Sequence, residues 1–326
     1  MEPQFDLTGK RVWVAGHKGL VGGAIVRRLA DEACELVTAT RAELDLRRQA
    51  DVEAWLAEAR PDLVIVAAAT VGGIVANDTR PADFLYDNLA IETNVIHAAH
   101  TLAVPKLLFM GSSCIYPRLA DQPMREDAML TGPLEPTNEA YAVAKIAGIK
   151  LCDAYRRQYG RDFISAMPAN LYGPGDNFDL EGSHVLPALM RKAHEAIRAG
   201  AATLTVWGSG TPKREFLYVD DLADGVVFLA KHYAAEGHVN IGTGEEVSIR
   251  ALAELVAEVV GFDGTLVFDA SKPDGMPRKL LDSGRIRALG WRPGVALKDG
   301  VARTYDWFQA QLDAGAELRG YRAAAG

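Results

Sequence analysis

The chain has 326 residues, 49% of them hydrophobic, enough for one large core or two smaller ones, so disorder is not the default. Its formal net charge of −8 argues against a general nucleic-acid binder, because phosphate backbones are held by surplus Lys and Arg, although a local basic cluster would still suit an anionic small molecule. Cys34, Cys114 and Cys152 lie far apart with no CxxC spacing and no paired histidines, which points to neither a metal site nor a disulfide framework and favours a reducing compartment.

In chain order, short β-branched runs alternate with longer amphipathic segments. Strands are predicted at Arg11 to Ala15, Glu35 to Thr40, Leu63 to Ala67, Lys106 to Met110 and Phe163 to Ala166. Between them, Leu20 to Asp31, Pro81 to Thr101 and Tyr141 to Tyr159 have helical spacing. The strands are nearly continuous in apolar character, as in a parallel sheet covered on both faces. The order is that of an α/β fold, a doubly wound parallel Rossmann sheet. After Gly173 come loops rich in Gly, Pro, Asp and Asn, a helix from His184, a strand Leu204 to Trp207 and a helix Asp220 to Tyr233. This predicts a dinucleotide-binding domain over 1–172 and a smaller, mixed α/β substrate domain over 173–326, with a segment near 215–245, including Asn240 to Gly244, returning to the sheet. Met1 to Lys10 is polar and acidic, and the longest uncharged stretch, Leu63 to Asn77, is too short to span a bilayer. No membrane association is expected, and the cytoplasm is the expected location.

Gly16-His17-Lys18-Gly19-Leu20-Val21-Gly22 follows the first strand and opens a helix. Glycines permit the tight turn and close backbone approach, and the helix N-terminus offers free N–H groups to a pyrophosphate. The second strand ends at Thr40-Arg41, where an NAD-selective site would carry an acidic residue for the ribose hydroxyls. Arg41 with Lys18 instead suits a 2′-phosphate, favouring NADP(H), and Asp45-Leu46 could meet the adenine edge. Tyr141 and Lys145, four residues apart on a helix, share one face, and an ammonium beside a phenol favours proton transfer by that phenol. Gly111-Ser112-Ser113-Cys114 lies at the carboxyl end of a strand, where an open α/β sheet binds ligand, so Ser112 could hydrogen-bond the oxygen that Tyr141 protonates.

With the glycine motif, Ser112, Tyr141 and Lys145 resemble the extended short-chain dehydrogenase/reductase family. Pro168 to Pro174, Arg214 to Asp221 and Asn240 to Gly244 match in the family's order. Ser112 to Pro117, Leu134 to Tyr141, Ala144 to Lys150, Asp269 to Gly275 and Pro277 to Asp282 resemble, more narrowly, the GDP-L-fucose synthase family, over almost the whole chain. That resemblance implies an NADPH-dependent enzyme converting GDP-4-keto-6-deoxy-D-mannose to GDP-L-fucose by epimerisation at C3 and C5 and reduction at C4. It implies Cys114 as epimerisation base and His184 as acid. A thiol whose ordinary pKa is about 8.5 needs a nearby positive charge for that task. It further implies cofactor contacts from Met110, Gly111, Ser112, Ser113, Lys145, Pro168, Ala169, Asn170, Leu171 and His184, and contacts to the GDP-sugar from Lys192, Trp207, Arg214 and Asp274. A homodimer built on the helices Pro81 to Thr101 and Tyr141 to Tyr159 is expected by the same analogy. The competing readings are another sugar-nucleotide epimerase or dehydratase of the extended family and a non-catalytic dinucleotide sensor. Arg41 and the Cys114/His184 pair oppose the first, and an intact Ser112, Tyr141 and Lys145 the second.

Overall fold

The computed structural model describes residues 3–180, 182–272 and 274–321. Glu181, in the loop Asp176 to Ser183, and Pro273, in the motif Asp269 to Gly275, lie outside the described residues, as do Met1 and Glu2.

β1 (Arg11–Ala15) is an apolar run buried in the sheet and ends at Gly16, whose φ of +90° requires glycine. A Cβ at Gly16 would stand 2.7 Å from the Ala68 backbone. The turn leads into α1 (Leu20–Leu29), where a Cβ at Gly22 would fall 2.2 Å from the Gly16 carbonyl oxygen. β2 (Glu35–Val37) stops three residues short of the expected Thr40. It is the edge strand, and Thr40 N–H donates to the Glu43 carboxylate in the turn that follows. After α2 (Gln49–Ala59) and β3 (Leu63–Val66), a short α3 (Ile74–Thr79) precedes α4 (Pro81–Thr101), which opens on proline, a residue suited to a first helical turn. β4 (Lys106–Met110) is wholly buried, α5 (Glu139–Tyr159) closes on Gly160 in the left-handed region at φ +66°, and β5 (Asp162–Pro168) follows.

Thirteen further elements follow among the described residues. They are β6 (Asn170–Tyr172), α6 (Val185–Arg198), β7 (Thr203–Trp207), β8 (Lys213–Arg214), β9 (Phe216–Tyr218), α7 (Val219–His232), β10 (Val239–Ile241), β11 (Val247–Ser248), α8 (Ile249–Val260), β12 (Thr265–Asp269), β13 (Arg278–Lys279), α9 (Gly284–Ala288) and α10 (Leu297–Asp313).

The central sheet runs β10-β5-β4-β3-β1-β2, and every pairing in it is parallel. β1 therefore has β2 on one side and β3 on the other, which places the switch of winding direction, and a crevice, at the carboxyl ends of β1 and β3. Val239 to Ile241 do return to this sheet, beside β5. One apolar core packs the two faces of the sheet and includes Leu217 from β9, Val219 to Ala230 from α7 at its buried positions, and Val239 and Ile241 from β10, together with Leu281, Ile286 and Trp291. A second core gathers Leu189, Leu204, Leu252, Val256 and Phe308 from α6, β7, α8 and α10, with Phe178 from the loop before α6. Each fully buried Leu or Phe in these cores contributes about 1.5–3 kcal/mol relative to exposure.

Candidate active site

A cavity of about 460 Å³ opens at the carboxyl ends of β1, β3, β4 and β5, at the switch of winding direction. Gly16, Gly19, Leu20, Val21 and Arg41 form one end of its wall. Met110, Gly111, Ser112, Ser113, Cys114, Tyr141 and Lys145 line the middle, and Pro168, Ala169, Asn170, Leu171 and His184 the other side. His17, Lys18 and Gly22 are not part of this lining. Gly22 instead lets the first turn of α1 pack against the Gly16 carbonyl.

Ser112 is extended and caps a short 3-10 turn over Ser113–Ile115, its Oγ accepting from the Cys114 N–H at 3.5 Å. Tyr141 meets Phe84 edge-on, with ring centroids 6.3 Å apart. Burial holds the Tyr141 phenol well above its ordinary range, the Cys114 and Glu92 charges add to this, and a hydrogen bond from Ser112 opposes it. The four-residue spacing holds: the Lys145 ammonium lies 5.8 Å from the Tyr141 ring centroid and 4.7 Å from that of Phe109. It is 2.8 Å from Glu92 Oε1, and both side chains are almost fully buried.

Burial pushes the Cys114 thiol up, and Lys279, a hydrogen bond from Ser112 and Lys145 pull it back, in that order. The positive charge that a basic thiolate requires is therefore present. His184 stands just before α6. Surrounding protein pushes its imidazole pKa down, and Lys279 and Arg319 push the same way, although the open cavity leaves the ring accessible to solvent. The arrangement can protonate an oxygen, hold it by a second hydroxyl, and place a thiol and an imidazole around the same space.

Lys192, Trp207, Arg214 and Asp274 do not line this cavity. They form a neighbouring cluster. Lys192 donates to the Thr205 carbonyl at 3.3 Å and stands 4.8 Å from the centre of the Trp207 ring, with Lys272 at 5.2 Å. Arg214 donates to the Asp274 carbonyl at 3.2 Å, and the Asp274 carboxylate accepts from the N–H and hydroxyl of Ser209 at 2.8 Å each. The parallel pairing of β13 with β8 sets Lys279 opposite Arg214, so Lys279 links this cluster to the cavity.

At the far end, Arg47 pairs with Asp45 at 2.8 Å and with Asp87 at 3.1 Å and holds the Asp45 carboxyl at about 2. Neither Arg41 nor Lys18 has a hydrogen bond or a carboxylate ion pair among the described residues. The acidic residue after β2 is thus neutralised while a cation remains at the wall. Together with the glycine turn that admits no Cβ, this fits a dinucleotide carrying a 2′-phosphate.

Residues 12–242 match the NAD dependent epimerase/dehydratase family. The chain is 61% identical over 310 residues to "GDP-L-fucose synthase" of Sinorhizobium fredii, covering 95% of this chain and 99% of that protein. It is 62% identical over 299 residues to "GDP-L-fucose synthase 1" of Arabidopsis thaliana, covering 91% and 93%. The chain belongs to the GDP-L-fucose synthase family. A solved GDP-L-fucose synthetase from Naegleria fowleri bound to NADP superposes with a TM-score of 0.87 at 29% identity, covering 96% of this chain and 98% of that one.

Measured against the GDP-L-fucose synthase motifs, sequence reasoning left three ionisable groups at or behind the cavity wall without a role. Lys279 lies inside the stretch Pro277 to Asp282, but only the pairing of two-residue strands brings it to Cys114. Glu92 carried a readable signal, a carboxylate on the buried, mainly apolar stripe of α4 that includes Phe84, Ile91, Val95 and Ala99. Asp176 lines the cavity at 4% exposure, and burial raises its carboxyl to about 7 against a hydrogen bond from the Asn177 N–H and the Arg319 charge.

Proposed function

We propose that the protein converts GDP-4-keto-6-deoxy-D-mannose to GDP-L-fucose, inverting C3 and C5 and then reducing the C4 ketone with NADPH. The observation that carries the reading is one cavity lined by two proton-handling sets, Ser112 with Tyr141 and Lys145, and Cys114 with His184. A simple reductase needs only the first.

A ketone at C4 acidifies the C–H bonds on both flanking carbons, so one base and one acid can serve both inversions. Cys114, as thiolate, removes the proton from C3 and from C5 in separate rounds. His184 returns a proton to the opposite face each time, and the hydroxyls of Ser112 and Tyr141 hold the enolate oxygen. When bound, NADPH supplies the hydride for C4. Tyr141 gives the C4 oxygen its proton, Ser112 orients that oxygen, and Lys145 holds a positive charge beside the phenol and the nicotinamide ribose. The N-terminus of α1 with Gly16 and Gly19 receives the pyrophosphate, and Arg41 with Lys18 the 2′-phosphate. Lys192 and Arg214 suit the diphosphate of the substrate, Trp207 an aromatic face, and Asp274 its hydroxyls.

We assign residues 1–172, with the returning segment 215–245, to cofactor binding and 173–326 mainly to the sugar nucleotide. Exposed Tyr86, Val143 and Tyr159 on α4 and α5 suit pairing with a second copy, supporting a homodimer. The three free cysteines suit the cytoplasm, and no helix among the described residues is long and apolar enough to cross a membrane. The test is incubation with GDP-4-keto-6-deoxy-D-mannose and NADPH, following nicotinamide absorbance and identifying the sugar by NMR. GDP-L-fucose is the expected product. Reduction without inversion would discard the roles of Cys114 and His184, and no NADPH consumption would discard the substrate.

A further inference from the structure

Glu92 is a buried carboxylate that the steps above leave unused. It lies on the inner face of α4 at 1% exposure, its Oε1 2.8 Å from Nζ of Lys145, and apart from that ion pair neither oxygen has a hydrogen-bond partner among the described residues. α5 makes room for it with Gly148, where a Cβ would stand 2.8 Å from Glu92 Oε2 and 2.5 Å from the Phe109 ring. Stability is a poor reason for such a pair, because the desolvation of two buried charges can exceed their attraction. Burial pushes the Glu92 carboxyl up and the Lys145 ammonium pulls it back; the titratable groups in its field are Tyr141 and Cys152 on α5, with Cys114 and then Lys279 beyond Tyr141. The carboxylate sees Tyr141 directly, and its charge resists formation of a phenolate there.

We infer that Glu92 is a positioning residue for Lys145, whose carboxylate fixes the ammonium beside Tyr141 and offsets its field, keeping the phenol as a proton donor for ketone reduction. An ammonium without this counter-charge would favour phenolate, the form suited to removing a proton and not to giving one. The inference rests on the reductase reading above.

Two readouts on the full chain test it, ultraviolet titration of the Tyr141 phenolate and the pH profile of reduction. Subtracting the titration of Tyr141→Phe isolates this tyrosine, and the same subtraction is made in a Glu92→Gln background. Glu92→Gln is expected to move both the titration and the alkaline limb of reduction down by about one pH unit or more, while Glu92→Asp leaves them near wild type. An unmoved or rising limb in a folded, NADPH-binding Glu92→Gln overturns the inference. Should Glu92→Gln not fold, Glu92→Asp decides. Its shorter reach retracts the ammonium, so KM for NADPH is expected to rise severalfold with the alkaline limb in place, and wild-type KM and kcat overturn the inference. If the wild type reduces no 4-keto sugar nucleotide, the function reading fails while the Tyr141 titration still judges Glu92.

Discussion

Replacing Lys279 with methionine removes the strongest influence that opposes the burial of Cys114, while keeping most of the unbranched side chain. The Lys279 ammonium has no hydrogen bond and no carboxylate ion pair among the described residues, so its loss orphans no partner. Burial raises the Cys114 thiol and Lys279 is the first charge that lowers it. An opposite charge at close range shifts a pKa by roughly 1–3 units, and the low end of that range raises the thiol in the variant by about one unit, about 1.4 kcal/mol. Only the thiolate removes a carbon-bound proton, and below both thiol pKa values each unit costs a factor of about ten in thiolate. Deuterium uptake at C3 and C5 of the 4-keto substrate in heavy water, followed by NMR without NADPH, is therefore expected to fall about tenfold near neutral pH. The deficit should close as pH rises through the thiol pKa of the variant. Uptake equal to wild type at every pH would refute the reasoning, and a deficit independent of pH would mean that Lys279 acts on substrate binding and not on the thiol.

Tyr141→Phe is expected to lower NADPH oxidation by about 10²–10⁴-fold with cofactor affinity unchanged, and undiminished turnover would remove Tyr141 from the reaction. Arg41→Asp should cost NADPH binding about 1.5–3 kcal/mol, measured by calorimetry, and NADH binding little, whereas equal losses would show that Arg41 does not read the 2′-phosphate. Asp176 has a folded pKa of about 7, above its unfolded value of about 3.9. Its contribution to stability is therefore full below about pH 4 and lost as pH rises through about 7. Asp176→Asn should accordingly match the wild-type Tm in acid and exceed it increasingly toward about pH 8, and a Tm difference that does not vary with pH would show that this carboxyl is not the titrating group.

The central sheet was legible because its strands are continuous apolar runs ending on small or polar residues. Arg11–Ala15 and Lys106–Met110 begin and end where the pattern places them. β2 is shorter than its sequence suggests because an edge strand needs fewer buried residues, and nothing in Thr38 to Thr40 signals that its pairing with β1 has already ended. Ser112, Tyr141 and Lys145 were legible for a related reason. Each sits at a strand end or on a helix beside the switch point, so local spacing and sheet order together place them. Lys279 was not legible, since β13 has two residues and its pairing with β8 is a long-range event with no periodicity of its own. Lys192, Trp207, Arg214 and Asp274 came from resemblance alone, and they gather beside the cavity, on elements of the second core and its loops, without lining it.

The two proton-handling sets differ in what assembles them. Ser112 follows β4, and Tyr141 and Lys145 lie on α5, elements that pack in the first core, whereas His184 and Lys279 reach the cavity of Cys114 from the loop before α6 and from β13. The reducing set can therefore keep its geometry on the sheet alone, while the epimerising set depends on how the second body is held against it. Leu252, fully buried on α8 in the second core and absent from the cavity wall, separates the two. Leu252→Ala is expected to cost about 2–5 kcal/mol of stability and to reduce deuterium uptake at C3 and C5 more than NADPH affinity, measured at a temperature where the variant is folded. Proportional losses in both would mean that the sheet and the second body respond as one unit, and that the epimerising pair is no more dependent on the second core than the reducing one.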